Sequence, residues 1–467
     1  MNRNDADDKR SELSRRTFLK TTAVAGAAAL VGPRILHAQN KGSQIRVGVI
    51  GTGTEGRVLI TSCLKARKAI PFKFTAICDI WPYYRGYTAR LLKKYKQPVK
   101  DYGDYEEMLA KEKGKLDAVI VATPDWVHAK HSIACMEAGM HVYCEKEMSN
   151  SLASAKKMVE TARKTGKLLQ IGHQRRSNPR YHMMLDYINK RKVCGRLTNV
   201  SGQWNREKPY TAKWSKKSEL DKATLKKYGY DTMDRFRNWR WYKKFSGGPI
   251  ADLGSHQVDI FHWALNTPPK SVIASGGTDN YPKMEWYDNV IAVYEWDYAW
   301  EGETRTVRGQ YDLFSTTSHG GFTETFMGTE GSLIISEDAS KGGLRREYAA
   351  PVAQWEKDFQ KKLDKVEKTQ ATQEKESGAE KTAGEGDIKV SHSIPSPGRY
   401  YPPIPVPAQS KTEHQPHLEN FFLAVLGKEK LNCPGEVGYE TAVSILRVND
   451  AIATGKRMEF KAEEFKV

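Results

Sequence analysis

From residue 45 onward the chain alternates short apolar runs with longer amphipathic stretches. Ile45-Arg46-Val47-Gly48-Val49-Ile50, Phe74–Cys78, Asp117–Ala122 and His141–Cys144 are four to six residues long and largely free of polar alternation. Such runs suit strands buried on both faces by flanking helices. Helical segments separate them: Arg57 to Lys68, Tyr83–Tyr95, Tyr105–Leu109, a stretch holding His128 and His131, and 151–165. Strand and helix taking turns predicts a doubly wound parallel sheet over residues 43–165. A further apolar run, Leu168–Gly172, opens the second half. Alternating positions between 272 and 336, such as Val290–Tyr294 and Ser332–Ile335, predict an open, mostly antiparallel sheet. Residues 166–467 therefore read as an α+β domain. Within it, Glu356–Val390 is rich in Lys, Glu, Gln and Thr, and 394–408 is rich in Pro. These predict a helical or disordered excursion and an extended strap, together spanning 345–410. His417–Phe422 and the helix Tyr439–Thr454 complete the chain, and no internal repeat is present.

A length of 467 residues fits two or three domains. No run reaches the roughly 18–20 apolar residues of a spanning helix, which excludes a polytopic membrane protein. Six cysteines without a C-x-x-C pair or a Cys/His cluster at zinc spacing exclude a disulfide scaffold and a zinc-finger array. The net charge is +18, from 74 Lys+Arg against 56 Asp+Glu. The lysines are spread out and interleaved with glutamates, so the reading is a solvated basic surface with no nucleic-acid partner. Attraction to anionic substrates or to envelope surfaces is compatible with it.

Two local patterns carry chemistry. At the amino terminus, Ser14-Arg15-Arg16-Thr17-Phe18-Leu19-Lys20 spells the twin-arginine export motif, and the alanine-rich stretch Thr21–Gly32 has the length of a signal h-region. Residues 1–38 are read as that signal, which makes the mature protein periplasmic or extracytoplasmic with no stable membrane insertion. The second pattern is Gly51-Thr52-Gly53-Thr54-Glu55-Gly56, directly after the first strand and opening a helix. Gly51 makes the tight turn, Gly53 lets a pyrophosphate approach the backbone and Gly56 lets helix pack on strand. The helix N-terminus then offers N–H groups and positive dipole to the phosphates. Asp79 ends the second strand, where a carboxylate hydrogen-bonds ribose hydroxyls and favours NAD, with NADP as the alternative; a helix N-cap is its purely structural reading. Thr123, Asp125 and Lys146 lie beyond strand ends, on the same ligand edge.

In the second half, Gly247-Gly248-Pro249-Ile250-Ala251-Asp252-Leu253-Gly254-Ser255-His256-Gln257-Val258-Asp259 reads as a helix on which Asp252 and His256 share a face and Asp259 lies one turn further. Trp204, Arg206, Tyr210, Trp214, Trp239, Arg240, Trp241 and Tyr242 make the preceding segment aromatic and basic. Alternating Trp and Arg suit carbohydrate, whose C–H faces stack on rings while its hydroxyls bond to guanidinium. Trp204 is read as core packing. No metal site is expected: His262 falls on the other side of the helix from Asp252.

Together these motifs resemble the glucose–fructose oxidoreductase, inositol dehydrogenase and rhizopine-catabolism (Gfo/Idh/MocA) family. Glu145-Lys146 match the family's E-K-P tripeptide, with Glu147 standing where the family has a proline that often takes a cis peptide. Arg176 and Pro179 match its R-x-x-P linker, and 247–259 its G-G-x-x-x-D-x-G-x-H-x-x-D segment. The resemblance implies a Rossmann domain joined to the α+β domain. It implies His256 as general base, Lys146 as the group that positions and polarises the substrate oxygen, and Asp252 as the residue orienting substrate or His256. Cofactor contacts are expected from Gly51, Gly53, Thr54, Glu55, Gly56, Asp79, Thr123, Pro124, His128, Glu145 and Lys146. Substrate contacts are expected from Arg176, Trp239, Arg240, Asp252 and His256.

The function implied is an NAD(P)-dependent oxidoreductase acting on a sugar, polyol or glycoside, in a homo-oligomer. The alternative is a redox-neutral, NAD-dependent glycosidase like glycoside hydrolase family 109; a non-catalytic sugar-binding protein is a third reading. An exported enzyme has no soluble nicotinamide pool, so the cofactor is expected to stay bound through many cycles.

Overall fold

The computed structural model describes residues 44–358, 361, 398–401 and 411–467. The export signal read at 1–38 and most of the 345–410 excursion lie outside the described residues. The first sheet holds β1 (Ile45–Ile50), β2 (Phe72–Cys78), β3 (Lys100–Tyr102), β4 (Ala118–Val121), β5 (His141–Cys144) and β6 (Leu169–Ile171), in the order β3-β2-β1-β4-β5-β6. All its ladders are parallel. Helices α1 (Thr54–Ala66), α2 (Pro82–Lys94), α3 (Tyr105–Glu112), α4 (Asp125–Glu137) and α5 (Leu152–Thr165) connect it. The winding reverses between β1 and β4, which opens a crevice beyond their carboxyl ends. β4 and β5 are buried at every position, as a strand covered on both faces must be.

Helix α1 starts three residues before the apolar periodicity does. Its first turn, Thr54 and Glu55, faces the crevice and has no apolar signature. Run Leu168–Gly172, read with the second half, forms β6 and hydrogen-bonds to β5. Helix α5 is closed at both ends as its sequence requires: Ser151 accepts from Ser154 N, and Gly166 takes the left-handed conformation at φ 66°.

The second sheet holds β7 (Leu197–Asn205), β8 (Ser271–Gly277), β9 (Asn289–Trp300), β10 (Glu303–Phe314), β11 (Phe322–Gly328), β12 (Gly331–Ile335), β13 (Gly343–Arg346), β14 (Arg399–Tyr401) and β15 (Met458–Glu459). Their order is β14-β13-β12-β11-β7-β10-β9-β8-β15. Only β7 and β10 run parallel; the remaining pairs are antiparallel. Within the 345–410 excursion β14 thus pairs with β13 and forms one edge of the sheet. Between β6 and β10 stand α6 (Pro179–Leu185), α7 (Lys222–Lys227), α8 (Met233–Arg237) and α9 (Ser255–Leu265), with α10 (Gln415–Val425) and α11 (Gly435–Thr454) near the end. One face of the sheet packs on α9 and α11, burying Tyr294, Trp296 and Tyr311 with Val258, Phe261, Ile445 and Val448. The opposite face leaves Ile273, Ile291 and Val293 exposed.

Segment 206–246, between β7 and α9, builds a small core of its own. Leu225, Tyr230, Met233, Tyr242 and Phe245 bury themselves against Trp81, the residue before α2. Trp81 Nε1 donates to Ser218 O at 2.5 Å, Tyr228 Oη to Asp104 Oδ2 at 3.1 Å, and Trp126 Nε1 to Tyr230 Oη at 3.2 Å. These bonds fasten the segment over the carboxyl edge of the first sheet.

Candidate active site

A cavity of about 1190 Å³ runs from the glycine loop to the second sheet. Its first end is shaped by three glycines with different duties. Gly51 sits at φ 91°, and a Cβ there would come within 2.5 Å of Ala122 O. A Cβ on Gly56 would lie 2.0 Å from Gly51 O, so Gly56 serves contact between helix and loop and lies behind the cavity wall. A Cβ on Gly53 would meet nothing within 4 Å, since this glycine faces open space. Gly53 is also the N-cap of α1 and supplies no side-chain hydrogen bond, so the helix start keeps donors for an anion. Asp79 Oδ2 accepts from Thr52 N at 2.7 Å and Thr52 Oγ1 at 3.0 Å, and Oδ1 accepts from Trp81 N at 2.8 Å. Four lone-pair positions on a carboxylate leave one for a ribose hydroxyl. The N-cap of α2 is Trp81, so Asp79 braces the loop. Arg85 is occupied by Asp101 at 3.1 Å and by Asp79 O at 3.1 Å. This end fits a dinucleotide with its pyrophosphate on α1.

Lys146 and Asp252 meet in the middle of the cavity. Lys146 Nζ donates to Asp252 O and lies 3.4 Å from Asp252 Oδ1, while Arg240 Nε donates to the same Oδ1 at 3.1 Å. Burial would raise the Asp252 pKa, but Arg240, Lys146 and Arg206 outweigh it and hold the carboxylate well below its ordinary range. The Lys146–Glu147 peptide is cis. Glu147 turns inward: its Oε1 accepts from Met148 N at 2.8 Å, and burial pushes its pKa up to about 8. Asp125, also buried, is pushed up to about 7 and accepts from Gly247 N at 3.4 Å.

Asp252 and His256 lie on one continuous helical run, but its regular geometry is interrupted between them. Residues Ile250–Gly254 form one π turn, and α9 begins at Ser255. The widened turn redirects the polar stripe read from the sequence. Asp252 faces Lys146, His256 faces the cavity, and Asp259 points into the core, where Arg176 Nε donates to both its oxygens at 2.9 Å and Thr441 Oγ1 donates at 3.0 Å. His256 is buried, its Nδ1 has no partner among the described residues, and Trp204 lies 5.2 Å away, ring to ring. Burial, then Lys146 and Arg175, hold its pKa well below the ordinary histidine value, so the imidazole is neutral.

Gly51, Gly53, Thr54, Glu55, Asp79, Thr123, Pro124, Glu145, Lys146, Trp239, Arg240, Asp252 and His256 all line this cavity. Arg176 and His128 do not. Arg176 is committed to Asp259, and His128 braces two strand ends, with Nδ1 2.8 Å from Glu147 O and Nε2 2.5 Å from Thr123 O. Glu55, Glu145 and His414 place ligand atoms within 4.8 Å of one another, and burial with the Glu55 charge pushes Glu145 up to about 8. Sequence reasoning passed over Gln174, Glu337 and Asp338, and read Trp204 as core only. Trp204 does pack, at 4.9 Å from the Phe322 ring, but its free side is cavity wall. A tryptophan at the end of a strand beside the helix that carries His256 is a local signal that could have found it.

Comparison with known proteins agrees with this layout. Residues 45–173 match the Gfo/Idh/MocA oxidoreductase family's NAD-binding Rossmann fold, and 188–334 match the Gfo/Idh/MocA C-terminal domain. Residues 12–32 match the twin-arginine translocation signal, which implies export across the cytoplasmic membrane. Inositol 2-dehydrogenase of Salmonella typhimurium (strain LT2) is 24% identical over 229 residues, covering 49% of this chain and 56% of that protein. A glycosyl hydrolase family 109 protein of Stenotrophomonas maltophilia is 31% identical over 160 residues, covering 33% and 34%. The chain spans about half the length, or less, of these curated relatives. Among solved structures, WlbA dehydrogenase of Chromobactrium violaceum, in complex with NADH and UDP-GlcNAcA, superposes with a TM-score of 0.60 at 19% identity, over 90% of this chain and 96% of that one. This last likeness is one of fold. Among the described residues no helix is long and apolar enough to cross a membrane.

Proposed function

This chain belongs to the Gfo/Idh/MocA oxidoreductase family, and on that premise we propose that it oxidises a sugar, polyol or glycoside by hydride transfer to NAD, with NADP as the alternative. The observation that carries the proposal is that Lys146 from the first sheet, and Asp252 and His256 from the second half, line one cavity with the glycine loop. Bound nicotinamide supplies the hydride acceptor. The neutral imidazole of His256 takes the proton of the substrate hydroxyl. Lys146, held by Asp252, directs its ammonium at the reacting oxygen, and the ionised Asp252 anchors both Lys146 and Arg240. Trp239, with the Arg240 guanidinium 4.2 Å above its ring, offers a stacking face beside hydrogen-bond donors. Replacing His256 with Ala should lower turnover by about 10²-fold or more while nucleotide binding, read by fluorescence titration, persists; equal loss of both overturns the assignment.

The match to a family 109 glycosyl hydrolase supports a second reading, in which the sugar is oxidised only transiently and the glycosidic bond is cleaved. A panel of glycosides separates the two: oxidised sugar identifies net oxidation, free aglycone without oxidised sugar identifies hydrolysis.

The export signal supports a periplasmic or extracytoplasmic working enzyme, and on that reading the cofactor is carried rather than collected. Segment 206–246 supports retention, since Phe236 and Arg237 line the cavity together with Tyr84 of α2, and Arg237 donates to Tyr84 Oη at 2.9 Å. Slow dissociation follows from such a cover. Activity surviving long dialysis without added NAD supports retention, and complete loss restored by added NAD overturns it. The open face of the second sheet, with Ile273 and Val293 paired across β8 and β9, supports a homo-oligomer; light scattering that finds a monomer overturns that part.

A further inference from the structure

Arg206 lines the same cavity and its charge helps hold Asp252 ionised, yet among the described residues no carboxylate is paired with it. It follows β7 directly, and its backbone N–H donates to Phe314 O at 2.8 Å, which fixes the residue on the cavity wall. Its guanidinium lies 5.3 Å from the centre of the Trp204 ring. Among the described residues that guanidinium makes no hydrogen bond and no ion pair. Its neighbours are committed. Lys146 and Arg240 share Asp252, Glu337 is held by Arg175 at 3.0 Å and Gln174 at 3.2 Å, and Asp338 accepts from Ser340 N at 3.0 Å. Three cations therefore surround one ionised carboxylate, Asp252. Asp125, which burial keeps partly protonated at neutral pH, adds no full second charge. A guanidinium with five donors in a planar fork, open to the cavity, offers a ready forked site to an anionic group. Stacking on Trp204 orients that fork while keeping its edge open to the cavity.

We propose that Arg206 is a specificity residue that receives an anionic oxygen group of the substrate, so that the preferred substrate is an acidic sugar, carrying a carboxylate or a sulfate, rather than a neutral one. Arg forks both groups through paired N–H bonds. The chain's net charge of +18 favours the approach of such an anion. The activity readout of this inference rests on the hydride-transfer reading; its binding readout does not.

The test compares glucuronate, a glucose sulfate and glucose on the holoenzyme, for wild type, Arg206→Gln and Arg206→Lys, with thermal melting as the check on folding. Expected is a preference in kcat/KM of about tenfold or more for an acidic probe over glucose, expressed mainly in KM. That preference should collapse in Arg206→Gln and return in part in Arg206→Lys. Whether glucuronate or glucose sulfate leads distinguishes the two sources, and either supports the proposal. No preference in wild type, or a preference intact in Arg206→Gln, overturns it. If no probe yields hydride transfer, the functional reading fails while calorimetry still decides this one. Acid binding weakened about tenfold in Arg206→Gln supports it, and acid binding absent or unchanged overturns it.

Discussion

At the scale of single residues, the arrangement turns on protonation states set by burial. His256 must be neutral to accept a proton, and its surroundings keep it so. Because a depressed pKa preserves the basic form on acidification, kcat/KM should show no acid limb near the ordinary histidine value of about 6.5. A pH–rate profile of the holoenzyme checks this; a limb at that value or above would count against His256 as the base. Asp252 carries the opposite demand, an ionised carboxylate between two bonded cations. Asp252→Asn should lower kcat/KM by about 10²-fold, because Lys146 then loses the charge that fixes its ammonium, and steady-state kinetics with intact nucleotide binding would show it.

Among the elements, the loop from β1 to α1 separates a glycine kept for packing from one kept for ligand. Gly56→Ala places a methyl 2.0 Å from Gly51 O, an overpacking that should cost about 1–3 kcal/mol or more of stability. Gly53→Ala meets nothing in the protein and should melt within a few degrees of wild type while weakening NAD binding about tenfold. Melting and nucleotide titration of the two variants, side by side, check the distinction. In the second half, the π turn 250–254 carries Asp252, which Lys146 and Arg240 both engage.

For the whole molecule, the junction between the two sheets concentrates carboxyl groups that burial keeps protonated: Asp125 at about 7, and Glu145 and Glu147 each at about 8. Their folded pKa values lie above the unfolded ones, so the stability they contribute is full below about pH 4 and is lost as pH rises through about 7 to 8. The buried histidines His128, His131, His173, His262 and His417 are depressed instead. They oppose this trend only below their unfolded value of about 6.5. Between pH 6.5 and 8 the carboxyl groups act unopposed, so the cofactor-free protein should melt at falling temperature across that interval. Asp125→Asn should flatten the slope and gain about 1 kcal/mol or more at pH 8; a slope as steep as wild type would refute the assignment. Calorimetry at several pH values measures both.

What the sequence by itself determined is what local physics dictates. Apolar runs without alternation formed strands covered on both faces, three glycines after a strand formed the tight turn into α1, and β1 and β5 begin and end where their composition says. The residues of the G-G-x-x-x-D-x-G-x-H segment were legible for the same reason, as neighbours along one stretch of chain. Tertiary structure decided everything that needed a distant partner. Arg176 left the substrate list because Asp259, 83 positions away, claims its guanidinium. His128 became a brace between two strand ends, and β7 took its parallel place beside β10 because strands from a hundred residues later fill both its sides. The aromatic segment 206–246 covers the cleft because Trp81 gave it a surface to bury against. Among the described residues Arg206 stands unpaired for the same kind of reason: whether a cation finds a carboxylate depends on which side chains folding brings within a few ångströms, and periodicity along the chain carries no record of that.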